Sequence, residues 1–134
     1  GPSHLKVVEE FGYEMYMHCG AIRKVLLAWQ TPAFIDEYFK NIILHDQAFP
    51  HVRPDDLREE LKKIRQDGYA ITDALGIGAP VFNSDGELAG SIGIIAPEIR
   101  VDTPEFLDTQ KDLVQFYASS LSADLGYEKH DVFQ

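Results

Sequence analysis

The sequence is poor in cysteine: Cys19 is the only one among 134 residues. A lone thiol forms no internal disulfide and founds no cysteine-based metal site, and this usage fits a reducing, cytoplasmic compartment. Basic residues are also scarce, with Lys plus Arg at 12 against 22 Asp plus Glu, a net charge of −10. A chain this acidic does not track a phosphate backbone by itself, and it has no basic amphipathic stretch of the kind that lies on a membrane. No apolar run approaches the ~20 residues that span a bilayer, and the first residues lack the apolar core of a signal peptide. Repeats, low-complexity stretches and a dividing linker are absent as well, so one domain is expected.

What remains is a globular balance of 45% hydrophobic and 25% charged residues. At this length a fold buries roughly two thirds of its unfolded surface, enough for a core without staples. Gly1-Pro2-Ser3-His4 reads as a remnant of protease cleavage, residues 5–126 as the domain, and 127–134 as a tail.

Apolar spacing sets the expected elements. Leu5 to Glu10 reads as a strand, and Tyr13, Met15 and Met17 alternate through a second extended piece. From Ala21 to Trp29, apolar residues at steps of three and four mark a helix with one buried face. Thr31-Pro32 then supplies an N-cap and a first-turn proline for a helix running to Leu44. His45 to Arg53 is a polar loop. Pro54-Asp55-Asp56 opens a third helix with acids at its positive end, buried through Leu57, Leu61 and Ile64, and Gly68 stops it in the left-handed position. Tyr69 to Thr72 is a short strand. Ile77 to Phe82 and Glu87 to Ile95 form a hairpin about Asn83-Ser84-Asp85-Gly86. Asp102-Thr103-Pro104-Glu105 starts a last helix, with Phe106, Leu107, Leu113, Val114, Tyr117, Leu121 and Leu125 on one side and Gly126 at its end. The sum is an α+β fold, an antiparallel sheet with helices packed against it.

Few residues suggest chemistry. His4, His18, His45, His51 and His130 form no helical pair and no HExxH, so no metal site is expected. His18 and Cys19 are adjacent, and neighbours on an extended segment point apart, which favours a buried structural cysteine over a nucleophile with its base. Gly76-Ile77-Gly78 runs into a strand instead of a helix, which excludes a dinucleotide-binding loop. Gly90, Gly93 and Ala96 lighten one strand and invite close approach, by a packed helix or by a ligand. Thr72 and Asp73 sit at a strand end before a glycine-rich bend, where turn chemistry is the ordinary reading and a small polar ligand the other. No catalytic residue and no cofactor is expected.

Two stretches together resemble a known family. His18-Cys19-Gly20-Ala21-Ile22-Arg23-Lys24-Val25-Leu26-Leu27-Ala28 is similar to the LHxxAxGKxLLA segment in the effector-binding domain of IclR-type bacterial transcription regulators. Leu57-Arg58-Glu59-Glu60-Leu61, Ile64 to Ala70, Ala79-Pro80-Val81-Phe82 and Asp85-Gly86 resemble the family's LxxEL, IRxxGYA and APVFDxxG run. Leu88 to Pro97 resembles the following strand, and Leu121 to Gly126 the closing helix. The resemblance covers about Leu5 to Gly126.

This likeness implies a GAF-like α/β sensor fold that binds a small metabolite, commonly a carboxylate or aromatic acid. It implies dimers or tetramers, and DNA contact only through a helix-turn-helix domain that is absent from this chain. Carried over position by position, the family's ligand sites fall at the amides of Ala21 and Ile22, at Thr72 or Asp73, at Gly76, and at Gly93 and Ile95. Amides that open a helix hold a carboxylate through unpaired N–H groups and the helix dipole. This sequence departs from the pattern in three places. Arg23 stands where the family has glycine, Gly93 and Ile95 replace two serines, and the stretch between Ala70 and Ala79 is shorter. The family domain also carries a helix and strands before the point where this chain begins. A partial domain is therefore expected, with an open sheet edge that favours self-association. Three functions compete: a metabolite sensor, a ligand-free module that only pairs subunits, and an enzyme, for which no constellation speaks.

Overall fold

Side chains alternate along the central strand of the sheet, and that alternation sets the layers. The computed structural model describes residues 6–8, 14–72, 76–95 and 103–128. A three-stranded antiparallel sheet has the order β3 (Ala70–Ile71), β4 (Gly76–Phe82), β5 (Leu88–Ile95). Ile77, Ala79 and Val81 of β4 pack with Val114 and Ala118 of α4 (Pro104–Asp124). Gly76 and Gly78 face the other way, against Ala21 and Ile22 of α1 (Ala21–Ala28). Period-two alternation thus gives one strand two helical covers. This is the α+β arrangement expected from the sequence.

β4 and β5 pair from Gly76↔Ile95 to Phe82↔Leu88, with an irregularity at Val81/Phe82. Their turn is shaped by Asn83, whose Oδ1 accepts from the amides of Asp85 (2.9 Å) and Glu87 (3.0 Å). Gly86 takes a φ of 78°, which a side chain disfavours. A separate pair, β1 (Lys6–Val8) with β2 (Glu14–Tyr16), is antiparallel. It stands for the first two expected extended pieces, whose remaining residues before Glu14 lie outside those described.

The larger core lies between α1, α2 (Pro32–Tyr38) and α3 (Pro54–Asp67), with Val25, Leu27, Tyr38 and Phe39 fully buried. Thr31 caps α2, its Oγ1 accepting from the Phe34 amide at 3.1 Å. Gly68 ends α3 at φ 79°. Lys24 joins α1 to α3 through both carboxylate oxygens of Glu60, each at 2.9 Å.

Two elements differ from expectation. The second helix is α-helical only to Tyr38 and continues as a π turn over Phe39–Ile43, where the Leu44 amide reaches the Phe39 carbonyl at 2.9 Å. Phe39 and Ile43, the two ends of this turn, are both buried in the core. The polar loop after it holds a short 3₁₀ turn, His45–Gln47, with Asp46 and Gln47 at positive φ.

The last helix also buries a narrower stripe than its apolar pattern suggests. Val114, Ala118 and Ser122 are buried, whereas Phe106, Leu113, Phe116, Tyr117, Leu121 and Leu125 are exposed. Small residues let the helix approach the sheet closely enough for Ser122 Oγ to accept from the Phe82 amide at 2.9 Å and donate to the Ala118 carbonyl at 2.8 Å. That bond satisfies a strand N–H beyond the reach of two-residue β3.

Candidate functional site

A hollow of about 260 Å³ opens where α1 begins above the sheet, lined by Gly20, Ala21, Ile22, Arg23, Thr72, Gly76 and Ile95. Its shape follows from local backbone chemistry. Gly20 stands at the N-cap of α1 with φ 85°, a conformation that glycine takes without strain. Having no side chain, it offers no oxygen to the first-turn amides, and no acid occupies that turn. The positive end of α1 therefore faces the hollow without a side-chain cap. Arg23 adds a full positive charge at this end. Its Nε donates to the Cys19 carbonyl at 2.6 Å, and its guanidinium lies over Gly20, 3.2 Å from where a Cβ would stand.

The opposite wall is the start of β4. Gly76 presses close, since a Cβ there would come within 3.0 Å of Thr72 Oγ1 and 3.1 Å of Ala21 Cβ. Thr72 is held by its amide, which donates to the Gly76 carbonyl at 2.9 Å. Ile22 and Ile95 supply apolar surface, Ile95 at the rim with 81% exposure. The hollow thus pairs a cationic, donor-rich end with apolar sides, the chemistry that suits a small organic anion.

Of the positions singled out in the sequence, Ala21, Ile22, Thr72, Gly76 and Ile95 meet at this hollow. Gly93 does not line it. A Cβ at Gly93 would collide with the Ile77 carbonyl and come within 2.7 Å of Ile22 Cγ1, so this glycine lets α1 lie against the sheet. At Gly78 and Gly93, then, the small residues serve helix packing. Asp73 and Ala96 lie outside the described residues. Sequence reasoning did not place Gly20 and Arg23 at the site. The signal for Arg23 was visible as a charged residue at a position where the resembling family has glycine.

His18 turns into the core, whereas Cys19, expected to be buried, is only half-buried. His18 is buried, its Nδ1 2.8 Å from Tyr38 Oη and its ring edge-on to Phe49, with centroids 4.5 Å apart. Burial, helped by the charge of Lys24, pushes its pKa down to about 4. Among the described residues no group of histidines, cysteines and acids has the geometry to hold a metal ion, and no helix is long and apolar enough to cross a membrane.

The chain matches the family model described as Bacterial transcriptional regulator IclR C-terminal over residues 1–123. It is 29% identical over 125 residues to the HTH-type transcriptional regulator RhmR of Escherichia coli K12, covering 87% of this chain and 47% of RhmR. The chain therefore spans about half the length of that curated relative. Among solved structures, the Thermotoga maritima IclR superposes with a TM-score of 0.68 at 28% identity, over 90% of this chain and 51% of that one. The PobR inducer-binding domain from Acinetobacter, a double mutant solved in complex with 3-hydroxybenzoic acid, superposes with a TM-score of 0.71 at 19% identity, over 83% of this chain and 69% of that one.

Proposed function

Because the chain belongs to the family of bacterial IclR transcriptional regulators, as their C-terminal domain, we propose that it is the metabolite sensor of such a regulator and binds a small carboxylate, aliphatic or aromatic, in the hollow at the start of α1. The observation that carries this reading is the meeting of an uncapped helix N-terminus, the Arg23 charge and two isoleucine side chains around one opening. The amides of Ala21 and Ile22 hold the carboxylate, Arg23 neutralises it, and Ile22 and Ile95 cover the organic body. Thr72, with Asp73 beside it in sequence, supplies polar contact at the wall. A volume of about 260 Å³ suits a single-ring acid or a short aliphatic one. That PobR was solved with 3-hydroxybenzoic acid supports an aromatic acid among the probes. Occupancy would change how subunits pair, and so how attached helix-turn-helix domains meet DNA.

The test is thermal unfolding with benzoate, 3-hydroxybenzoate, pyruvate and succinate. A ligand that binds the folded state raises the melting temperature as its concentration rises. Arg23→Gln should reduce that rise, and Gly76→Val, which fills the wall, should abolish it. If none of these acids moves the transition of the folded protein, the sensing role fails.

A second reading, a module that pairs subunits without a ligand, is favoured by one observation. Along α4 five large apolar side chains are exposed, Phe106, Leu113, Phe116, Tyr117 and Leu121, with Leu125 at its C-cap. It predicts self-association with no response to any acid, so the same thermal series separates the two.

A further inference from the structure

A larger groove lies at the other end of α1, on the side of the sheet away from β5. Its volume is about 550 Å³, twice that of the first hollow and within the range of ~300–1,000 Å³ typical of small-molecule sites. Three aromatic residues from three separate parts of the chain line it. Trp29 follows α1, Phe82 ends β4, and Tyr127 follows α4. Trp29 meets Phe82 edge-on with centroids 5.9 Å apart, and Phe82 meets Tyr127 at 5.1 Å. Small side chains, Ala79, Ala118 and Ala123, keep the space between them open.

Arg65 of α3 stands at the same groove. Among the described residues it forms no ion pair. Its Nη1 donates to the Ala28 carbonyl at a long 3.4 Å, and its guanidinium lies 6.0 Å from the centre of the Trp29 ring. The one acid among the lining residues, Asp67, pairs with Lys63 at 3.4 Å. A cation with no acid partner among the described residues, beside a row of aromatic rings, fits an anion attached to a flat apolar body.

We propose that this groove is a second ligand site, distinct from the hollow at the start of α1, that takes a fused-ring aromatic carboxylate. The rings lie against Trp29, Phe82 and Tyr127, and the carboxylate pairs with Arg65. The fused rings use the larger volume that a single-ring acid leaves unfilled.

Trp29 is the only tryptophan in the sequence, so its indole N–H gives one proton signal that reports the groove alone. Titration with 2-naphthoate should move this signal saturably. The amides of Ala21 and Ile22 report the first hollow separately, so failure at one site is distinguishable from failure at the other. Arg65→Gln should weaken binding about tenfold or more. Ala123→Phe, at an exposed position on α4, should fill the groove and remove binding without touching the core. 2-Naphthamide should bind more weakly for want of charge, and cyclohexanecarboxylate for want of aromatic rings. The proposal is overturned if the indole signal does not move saturably, if Arg65→Gln binds 2-naphthoate as tightly as the parent chain, or if the Ala123→Phe protein, folded by its spectrum, still binds it.

Discussion

Tyr38 and His18 satisfy one another inside the larger core. The Tyr38 hydroxyl oxygen lies 2.8 Å from His18 Nδ1 and accepts the His18 backbone N–H at 3.3 Å. The phenol joins the amide and the ring of the same histidine, and which of Oη and Nδ1 donates in the second bond follows the tautomer of the neutral imidazole. Burial raises the Tyr38 pKa and lowers that of His18, so both groups stay uncharged through the neutral range.

This pair predicts loss of stability in mild acid. The folded pKa of His18, about 4, lies below its unfolded value of 6.5. Between those values the unfolded chain binds the extra proton, so stability is complete above about pH 6.5 and declines as pH falls toward 4. The full effect is about 3 kcal/mol. Urea unfolding across this interval should show the decline, and His18→Gln should flatten it. An unchanged slope in the variant would mean that other groups carry the acid sensitivity.

Tyr38→Phe removes the hydroxyl and leaves both the His18 amide and Nδ1 without it. A buried polar group deprived of its partner costs about 1–3 kcal/mol. Chemical denaturation should report a loss in that range, although the ring and its packing are retained.

Two glycines on one strand should respond oppositely to alanine. At Gly93 a Cβ would run into the Ile77 carbonyl and Ile22, and a backbone oxygen has little room to retreat. Gly93→Ala should destabilise by several kcal/mol, on the order of the largest single-residue effects. At Gly90 nothing lies within 4 Å of the new methyl. There the reduced freedom of the unfolded chain should stabilise by about 0.5 kcal/mol. Paired denaturation curves decide both; equal effects would mean that the strand yields at Gly93.

These contrasts show what the sequence could and could not disclose. Local chemistry was legible: Thr31-Pro32 and Thr103-Pro104 mark helix starts, Gly68 a stop, and Asn83 to Gly86 a turn, because each acts through its own backbone. The π turn at Phe39–Ile43 was not, since one added residue per turn leaves an apolar stripe almost unchanged. The face of α4 was misjudged for a tertiary reason. Hydrophobic size pointed to Leu113, Tyr117 and Leu121, whereas close approach to β4 selects Ala118 and Ser122. At the hollow, a motif fixes which residues of α1 and β4 are relevant, but only the fold turns Arg23 over Gly20.

Ser122 gives a direct check on that close approach. Ser122→Ala leaves the Phe82 N–H without its acceptor and should cost about 1–3 kcal/mol. Hydrogen exchange at the Phe82 amide should accelerate more than at neighbouring β4 amides. If only global stability changes, the hydroxyl matters through packing on α4.

The outer face of α4 sets the last expectation. Phe116 and Tyr117 are 63% and 57% exposed, and Leu113, Leu121 and Leu125 extend the same surface. Several large apolar side chains exposed along one helix point to an interaction surface when they adjoin. Leu121→Asp or Tyr117→Asp places a charge on that surface without entering the core. If the chain pairs through this face, sedimentation should show association that rises with concentration and is lost in either variant. Stability of the separated monomer should change by no more than about 0.5 kcal/mol, as for other surface substitutions. A parent chain that stays monomeric at high concentration rules out pairing by this face, and with it the reading in which the domain acts only by joining subunits.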